Sequence, residues 1–185
     1  MTTSQVTLPS EMYATISGIL DQAAIQRILA SFSMASQKSV VKMHVMLQST
    51  GGAVGDGICL YNYFRNLPID LTIYNMGSIN SIAVIAYLGA KKRKVNRFSN
   101  FSIHRTQTTV QSAPTDLLQA FVESALLFDK TSEAILRQHI HMPVDKWSHY
   151  DQNDLWISAE ESVKYGIADE IADFAPPAGA TIYAL

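Results

Sequence analysis

The sequence predicts a single α/β domain, and three observations carry that prediction. Runs of apolar and β-branched residues alternate with stretches of helical periodicity along the chain. No repeat or linker divides it. Its 185 residues, 48% hydrophobic and 16% charged, are enough for one sizeable core and suit a soluble globular protein. The low charged share also fits a chain that hides surface in an oligomer.

Met12 to Ser17 reads as a short strand closed by Gly18. Leu20 to Met34 has helical spacing, with Leu20, Ala24, Ile25, Ile28, Leu29 and Phe32 on one face and Asp21 near the start. Val40 to Leu47 is a second strand, followed by QSTGGAVGDG. Val54 to Phe64 is a helix stopped by Asn66 and Pro68. Ile69 to Met76 is a third strand, and it feeds NMGSINSIAVIAYLGA. That stretch lies in an uncharged run from Leu71 to Ala90, about as long as a membrane span, but Gly77 and its polar neighbours break it. The run therefore reads as strand, turn and buried helix, the helix covering Ser81 to Leu88 and ending at Gly89. Two short strands follow, around Arg93 to Asn96 and Phe101 to His104. Thr115 to Ile140 is the longest helical pattern, beginning after Pro114, with Asp116 placed to suit the helix dipole. MPVDKWSHY is a turn or short helix. Ser158-Ala159-Glu160-Glu161 is a capping box for a last helix ending at Gly166. Ile167 to Phe174 reads as a final strand, and Pro176 to Gly179 as a loosely ordered tail. The chain thus divides into a short N-terminal arm over 1–11, a folded domain over 12–174 and a C-terminal tail over 175–185.

Net charge is −2, so there is no global electrostatic case for nucleic acid or an anionic membrane. The basic run Lys91-Lys92-Arg93-Lys94, with Arg97 nearby, reads as a solvated turn. A single cysteine, Cys59, excludes an internal disulfide and a multi-thiol metal site, and its apolar helical setting predicts a buried, inert thiol. His139 and His141 have no third ligand at a convincing spacing, so neither a metal nor another cofactor is expected. The N-terminus lacks the basic start and apolar core of a signal peptide, and the expected location is the cytoplasm.

Two strand-to-helix turns could carry chemistry. Gly51-Gly52 lets a backbone approach a ligand and exposes N–H groups at a helix start, for a phosphate or for a carbonyl oxyanion. The stretch has neither the P-loop Lys-Ser/Thr nor the G-x-G-x-x-G spacing. Ser81 opens the next helix, where a serine is ordinarily a cap. Acyl transfer needs more: a base, a carboxylate to orient it and oxyanion donors. Ser81, His104 at the end of its short strand, an acid between Asp145 and Asp154, and Gly52 could supply the set, but spacing alone does not bring them together.

These motifs resemble those of the Clp peptidase family, the serine peptidase subunit of ATP-dependent Clp proteases, from about Tyr13 to Phe174. STGGAVGDGICLYN resembles the family's S-P-G-G turn and helix, and NMGSINSIAVIAYLGAKKRKV its M-G-x-A-A-S-M-G turn. NFSIHRT resembles the strand ending in I-H-Q-P, and NDLWISAEESVKYGIADEI the R-D-x-F-L-S-A-x-E-A segment. The resemblance implies Ser81 as nucleophile, His104 as general base and acid, Asp154 as its carboxylate, and the N–H groups of Gly52 and Ile82 as oxyanion donors. It implies a crotonase-like superhelix of ββα units with Thr115 to Ile140 as a protruding handle helix. It implies peptides or unfolded polypeptides as substrates, and self-association into a homo-oligomer of seven-membered rings, single or double.

The chain departs from the pattern at Thr50, Ile79, Asn80, Ile82, Ala83, Arg105, Thr106 and Asn153. Asn153 stands where the family has an arginine used between rings. Little precedes Met12, where the family has a longer segment that helps an ATPase dock, so no Clp ATPase partner is expected. The resulting reading is a serine endopeptidase; the alternatives are a catalytically silent ring component and a crotonase-type acyl-CoA enzyme.

Overall fold

The computed structural model describes residues 11–107, 109, 112 and 114–185. In chain order they form β1 (Glu11–Ser17), α1 (Gln22–Gln37), β2 (Lys42–Ser49), α2 (Val54–Arg65), β3 (Asp70–Asn80), α3 (Ile82–Leu88) and β4 (Lys92–Val95). There follow β5 (Asn100–Ile103), α4 (Thr115–His139), α5 (Val144–Tyr150), β6 (Leu155–Ser158), α6 (Ala159–Lys164), β7 (Glu170–Ile171) and β8 (Ile182–Ala184). Of the arm expected over 1–11 only Glu11 falls among the described residues, and it opens β1.

The strands make one sheet in the order β6-β5-β3-β2-β1-β8, with β4 pairing β3 and β7. Every pair is parallel except β5 with β6. Parallel strands need crossovers, and helices supply them; β2 buries Met43, Val45 and Leu47 on the face that meets the helices and turns Lys42, His44, Met46 and Gln48 to the other. Ile28 and Phe32 of α1 and Leu60 and Phe64 of α2 pack into one core with Val45, Leu47, Ile73 and Ile79. The periodicity expected for α1 holds: Ala24, Ile25, Ile28 and Phe32 are buried, and Asp21 Oδ1 caps the helix by accepting the Ala24 N–H at 2.8 Å. All seven residues of α3 are buried, which accounts for the long uncharged run. Among the described residues no helix is long and apolar enough to cross a membrane.

Several elements differ from expectation. Cys59 is exposed, because the inward face of α2 is set by Gly57, Leu60, Tyr61 and Phe64, and Cys59 falls off that stripe. The basic run is a strand, not a solvated turn. Lys92 pairs with Asp70 at 3.1 Å, Arg93 with Asp169 at 2.7 Å and Lys94 with Glu170 at 2.9 Å. The strand expected over 167–174 shrinks to β7, because the N–H groups of Ile167 and Ala168 turn back to the Ser162 carbonyl at the end of α6. LWIS, which sequence reading did not assign to a strand, is β6, with Leu155 and Ile157 inward and Trp156 outward. Past the Pro176–Gly179 stretch, β8 returns to pair with β1, and Leu185 N–H donates to the Thr15 carbonyl at 2.9 Å.

Helix α4 has two characters. Residues 115–124 are exposed on every side, as expected of a handle, whereas Ile135 and Leu136 are buried. Its C-terminal turn is fastened to α2. Arg65 donates to the Tyr61 hydroxyl at 2.7 Å, and that hydroxyl lies 2.9 Å from His139 Nε2. Burial, helped by the Arg93 and Arg65 charges, holds the His139 pKa below its ordinary value and so favours the neutral ring. The unfolded chain therefore takes up this proton first as pH falls below about 6.5, and folding stability declines through and below that pH. Thermal unfolding across pH 5–8 should show the decline, and His139→Gln should flatten it.

Candidate active site

The site is built where β3 forks. Thr72 to Asn75 pair with β4, whereas Ser78 to Asn80 pair with β5, and the β2–β3 register shifts between Leu47 and Ser49. A polar knot fills the fork. Buried Asn75 donates through Nδ2 to the Asn100 carbonyl at 2.8 Å and accepts the Gly77 N–H at 3.1 Å. Ser78 Oγ lies 2.7 Å from Asn100 Oδ1 and 2.8 Å from Asn80 Oδ1. The hydroxyl and amides ahead of the apolar helix thus include a scaffold for the turn.

At the end of that turn Ser81 has φ 57° and ψ −133°, a conformation that L-residues avoid. Its N–H donates to the Ser102 carbonyl at 2.7 Å. Its hydroxyl does not cap α3 and makes no hydrogen bond among the described residues. The ordinary role of a serine at a helix start is therefore not the one seen here. Two glycines make the conformation possible. A Cβ on Gly51 (φ 102°) would lie 2.7 Å from Ser81 Cβ, and one on Gly57 would collide with Ile82.

Ser81, Ile82, Gly52 and His104 line one cavity of about 150 Å³, walled also by Ile85, Ile103 and Leu136. That volume accepts a single medium-sized side chain. Ile82 N–H heads α3 and has no acceptor within the helix. Half-buried His104 has its Nδ1 2.7 Å from the Arg105 carbonyl oxygen.

Asp154 is exposed and lines a different pocket, with Lys146, His149 and Trp156. Antiparallel pairing of Ile103 with Leu155 makes His104 and Asp154 the next positions out along the ladder. No hydrogen bond joins them among the described residues, nor does one join His104 to Ser81. The fold thus gathers four of the five expected residues around one cavity and leaves Asp154 in a different pocket.

The profile of the Clp protease family matches residues 3–174. The chain belongs to the Clp protease family. Among curated relatives, the ATP-dependent Clp protease proteolytic subunit of Paracoccus denitrificans is 20% identical over 174 residues, 92% of this chain and 86% of that protein. Proteolytic subunit 2 of Pseudomonas aeruginosa is 21% identical over 160 residues, 84% of this chain and 78% of that protein. A solved ClpP1 mutant from Listeria monocytogenes superposes with a TM-score of 0.74 at 18% identity, covering 87% of this chain and 91% of that one. The shared architecture is a mixed α/β sheet with flanking helices.

In this Clp-family chain Ser132 and Arg105 also line the cavity. Ser132 Oγ lines the cavity and is buried without a hydrogen-bond partner, the one such side-chain atom among the described residues. Arg105 lines it too, and is paired with Asp129 at 3.1 Å. Beside them, burial with the Asp129 charge pushes the Tyr150 hydroxyl up to about 12. Sequence reading missed Ser132 and Asp129, because both lie on α4, whose pattern speaks only of apolar faces.

The strain at Ser81 is measurable. Glycine adopts a positive φ freely, so Ser81→Gly should be more stable than Ser81→Ala by about 1 kcal/mol. Equal midpoints in denaturant unfolding would contradict a strained turn.

Proposed function

We propose that this Clp-family chain is a serine endopeptidase acting on peptides or unfolded polypeptides. One observation carries the reading: an unused hydroxyl on a strained strand-to-helix turn, sharing a small cavity with a histidine. Ser81 Oγ attacks the scissile carbonyl while His104 Nε2 takes its proton. The N–H groups of Gly52 and Ile82 receive the oxyanion. His104 then protonates the leaving amine, and water resolves the acyl-enzyme with the same residues in reversed roles. Asp154 is assigned to stabilise the imidazolium through its charge, the Nδ1 of His104 already facing the Arg105 carbonyl, a role supported by its register opposite His104. The chemistry calls on no cofactor and no nucleotide, so short peptides are hydrolysed without an ATPase.

Fluorophosphonate labelling tests this reading. Mass spectrometry should place the label on the Ser81 peptide, and Ser81→Ala should lose both label and peptidase activity, with kcat down by about 10⁴–10⁶-fold. A label on another serine, or an active Ser81→Ala protein, overturns the mechanism. A second reading, a catalytically silent ring component, is favoured by the separation of Asp154 from the cavity. Absence of labelling in the assembled wild type would select it.

The chain is further proposed to act as a homo-oligomeric ring. Leu117, Leu118, Phe121, Val122, Leu126 and Leu127 are each at least 41% exposed on the front of α4, a surface too apolar to leave in water. Light scattering should report an assembly, and the double change Leu118→Glu with Phe121→Glu should reduce its mass. A stable dilute monomer of the wild type would rule the ring out.

A further inference from the structure

The loop that leaves β5 with His104 is tied to α4 at one carboxylate. Asp129 Oδ1 accepts the Thr106 N–H at 2.6 Å, and Oδ2 takes Arg105 Nε and Nη2, each at 3.1 Å. The Asp129 side chain is 14% exposed and that of Arg105 45%, so the carboxylate is largely sheltered while the guanidinium stays open to water, and the bonds between them are charge-assisted. The Thr106 N–H and the Arg105 carbonyl belong to the same peptide unit. In a planar trans unit the two point in opposite directions, so holding the N–H on α4 aims the carbonyl away from it. That carbonyl oxygen is the atom 2.7 Å from His104 Nδ1. A carbonyl has no proton to give, so Nδ1 is the donor and Nε2 keeps its lone pair. This is the tautomer that a histidine needs in order to take a proton from a serine hydroxyl.

We infer that Asp129 is a positioning residue for His104: through Arg105 and Thr106 it fixes the peptide plane whose carbonyl sets the tautomer and direction of the imidazole. The inference rests on the Ser81–His104 reading. It gives α4 a part in catalysis separate from the one proposed for its exposed front. Loss of the carboxylate frees the peptide plane to turn, and the imidazole loses the acceptor that selects its tautomer.

The test uses the intact, assembled protein, with steady-state hydrolysis of a short peptide and the rate of fluorophosphonate labelling at Ser81. Asp129→Ala should lower kcat and the labelling rate roughly tenfold to a hundredfold while KM stays put. Asp129→Asn keeps an oxygen for the Thr106 N–H but loses the charge facing Arg105, and should fall between Asp129→Ala and wild type. Glu133→Ala, on the same helix, breaks only a surface ion pair with Arg137 and should match wild type. A uniform loss tracking stability or assembly would overturn the inference in favour of a structural role. Unchanged labelling in assembled Asp129→Ala also overturns it, and faster labelling does too, by making the contact a restraint on His104. Should Asp129→Ala fail to assemble, the nearly isosteric Asp129→Asn carries the same comparison. Wild-type protein that labels nowhere, or at another serine, sinks the Ser81 reading instead.

Discussion

A backbone held at φ 57° and ψ −133° at Ser81 is the constraint around which the neighbouring elements are arranged. An L-residue in that conformation costs on the order of 1–3 kcal/mol and persists only where its surroundings over-determine it. Here the surroundings are the Ser102 carbonyl receiving the Ser81 N–H, and the glycine surfaces of Gly51 and Gly57, which let the start of α2 close against the turn. With the backbone turned this way the hydroxyl is carried off the helix end and into the cavity. The same backbone would be an unexplained defect if Ser81 were only a cap.

The fork in β3 supplies the second requirement, a rigid approach to that turn. A strand that changes partners from β4 to β5 leaves main-chain groups without ladder mates at the crossing. Asn75 meets that need from inside, since its side chain offers both a donor and an acceptor and its carbonyl accepts from Ser99 Oγ. On one side of the fork, β4 is braced by ion pairs to β3 and β7. On the other, β5 delivers His104. Lys92, Arg93 and Lys94 of the basic run are thus part of the sheet's architecture, with their charges turned to carboxylates of the same chain.

Helix α4 joins the cavity to the outside of the molecule. Its rear packs through Ile135 and Leu136 and is pinned to α2 by His139, its middle grips the His104 loop through Asp129, and its front presents apolar side chains to solvent.

Local signals in the chain were enough for the helices and the inner strands. The apolar stripe of α1, the capping box at Ser158 and the uncharged α3 follow from short-range periodicity and capping, which act over a few residues and leave their mark there. Ser81, His104 and Gly52 were legible as candidates because a helix start, a strand end and a glycine turn each have a short signature, whereas Ile82 and Asp154 were singled out by the family resemblance. Tertiary structure decided the rest. Only the fold could distinguish a capping serine from a strained, unbonded one, because the difference lies in the close approach of Gly51, thirty residues earlier in the chain. Only the fold could pair Lys92, Arg93 and Lys94 with their carboxylates, return β8 to β1, or bring Asp129 to Arg105. Each of these contacts joins residues well separated in sequence, and their choice of partner is settled by which surfaces the packed core brings within hydrogen-bonding distance.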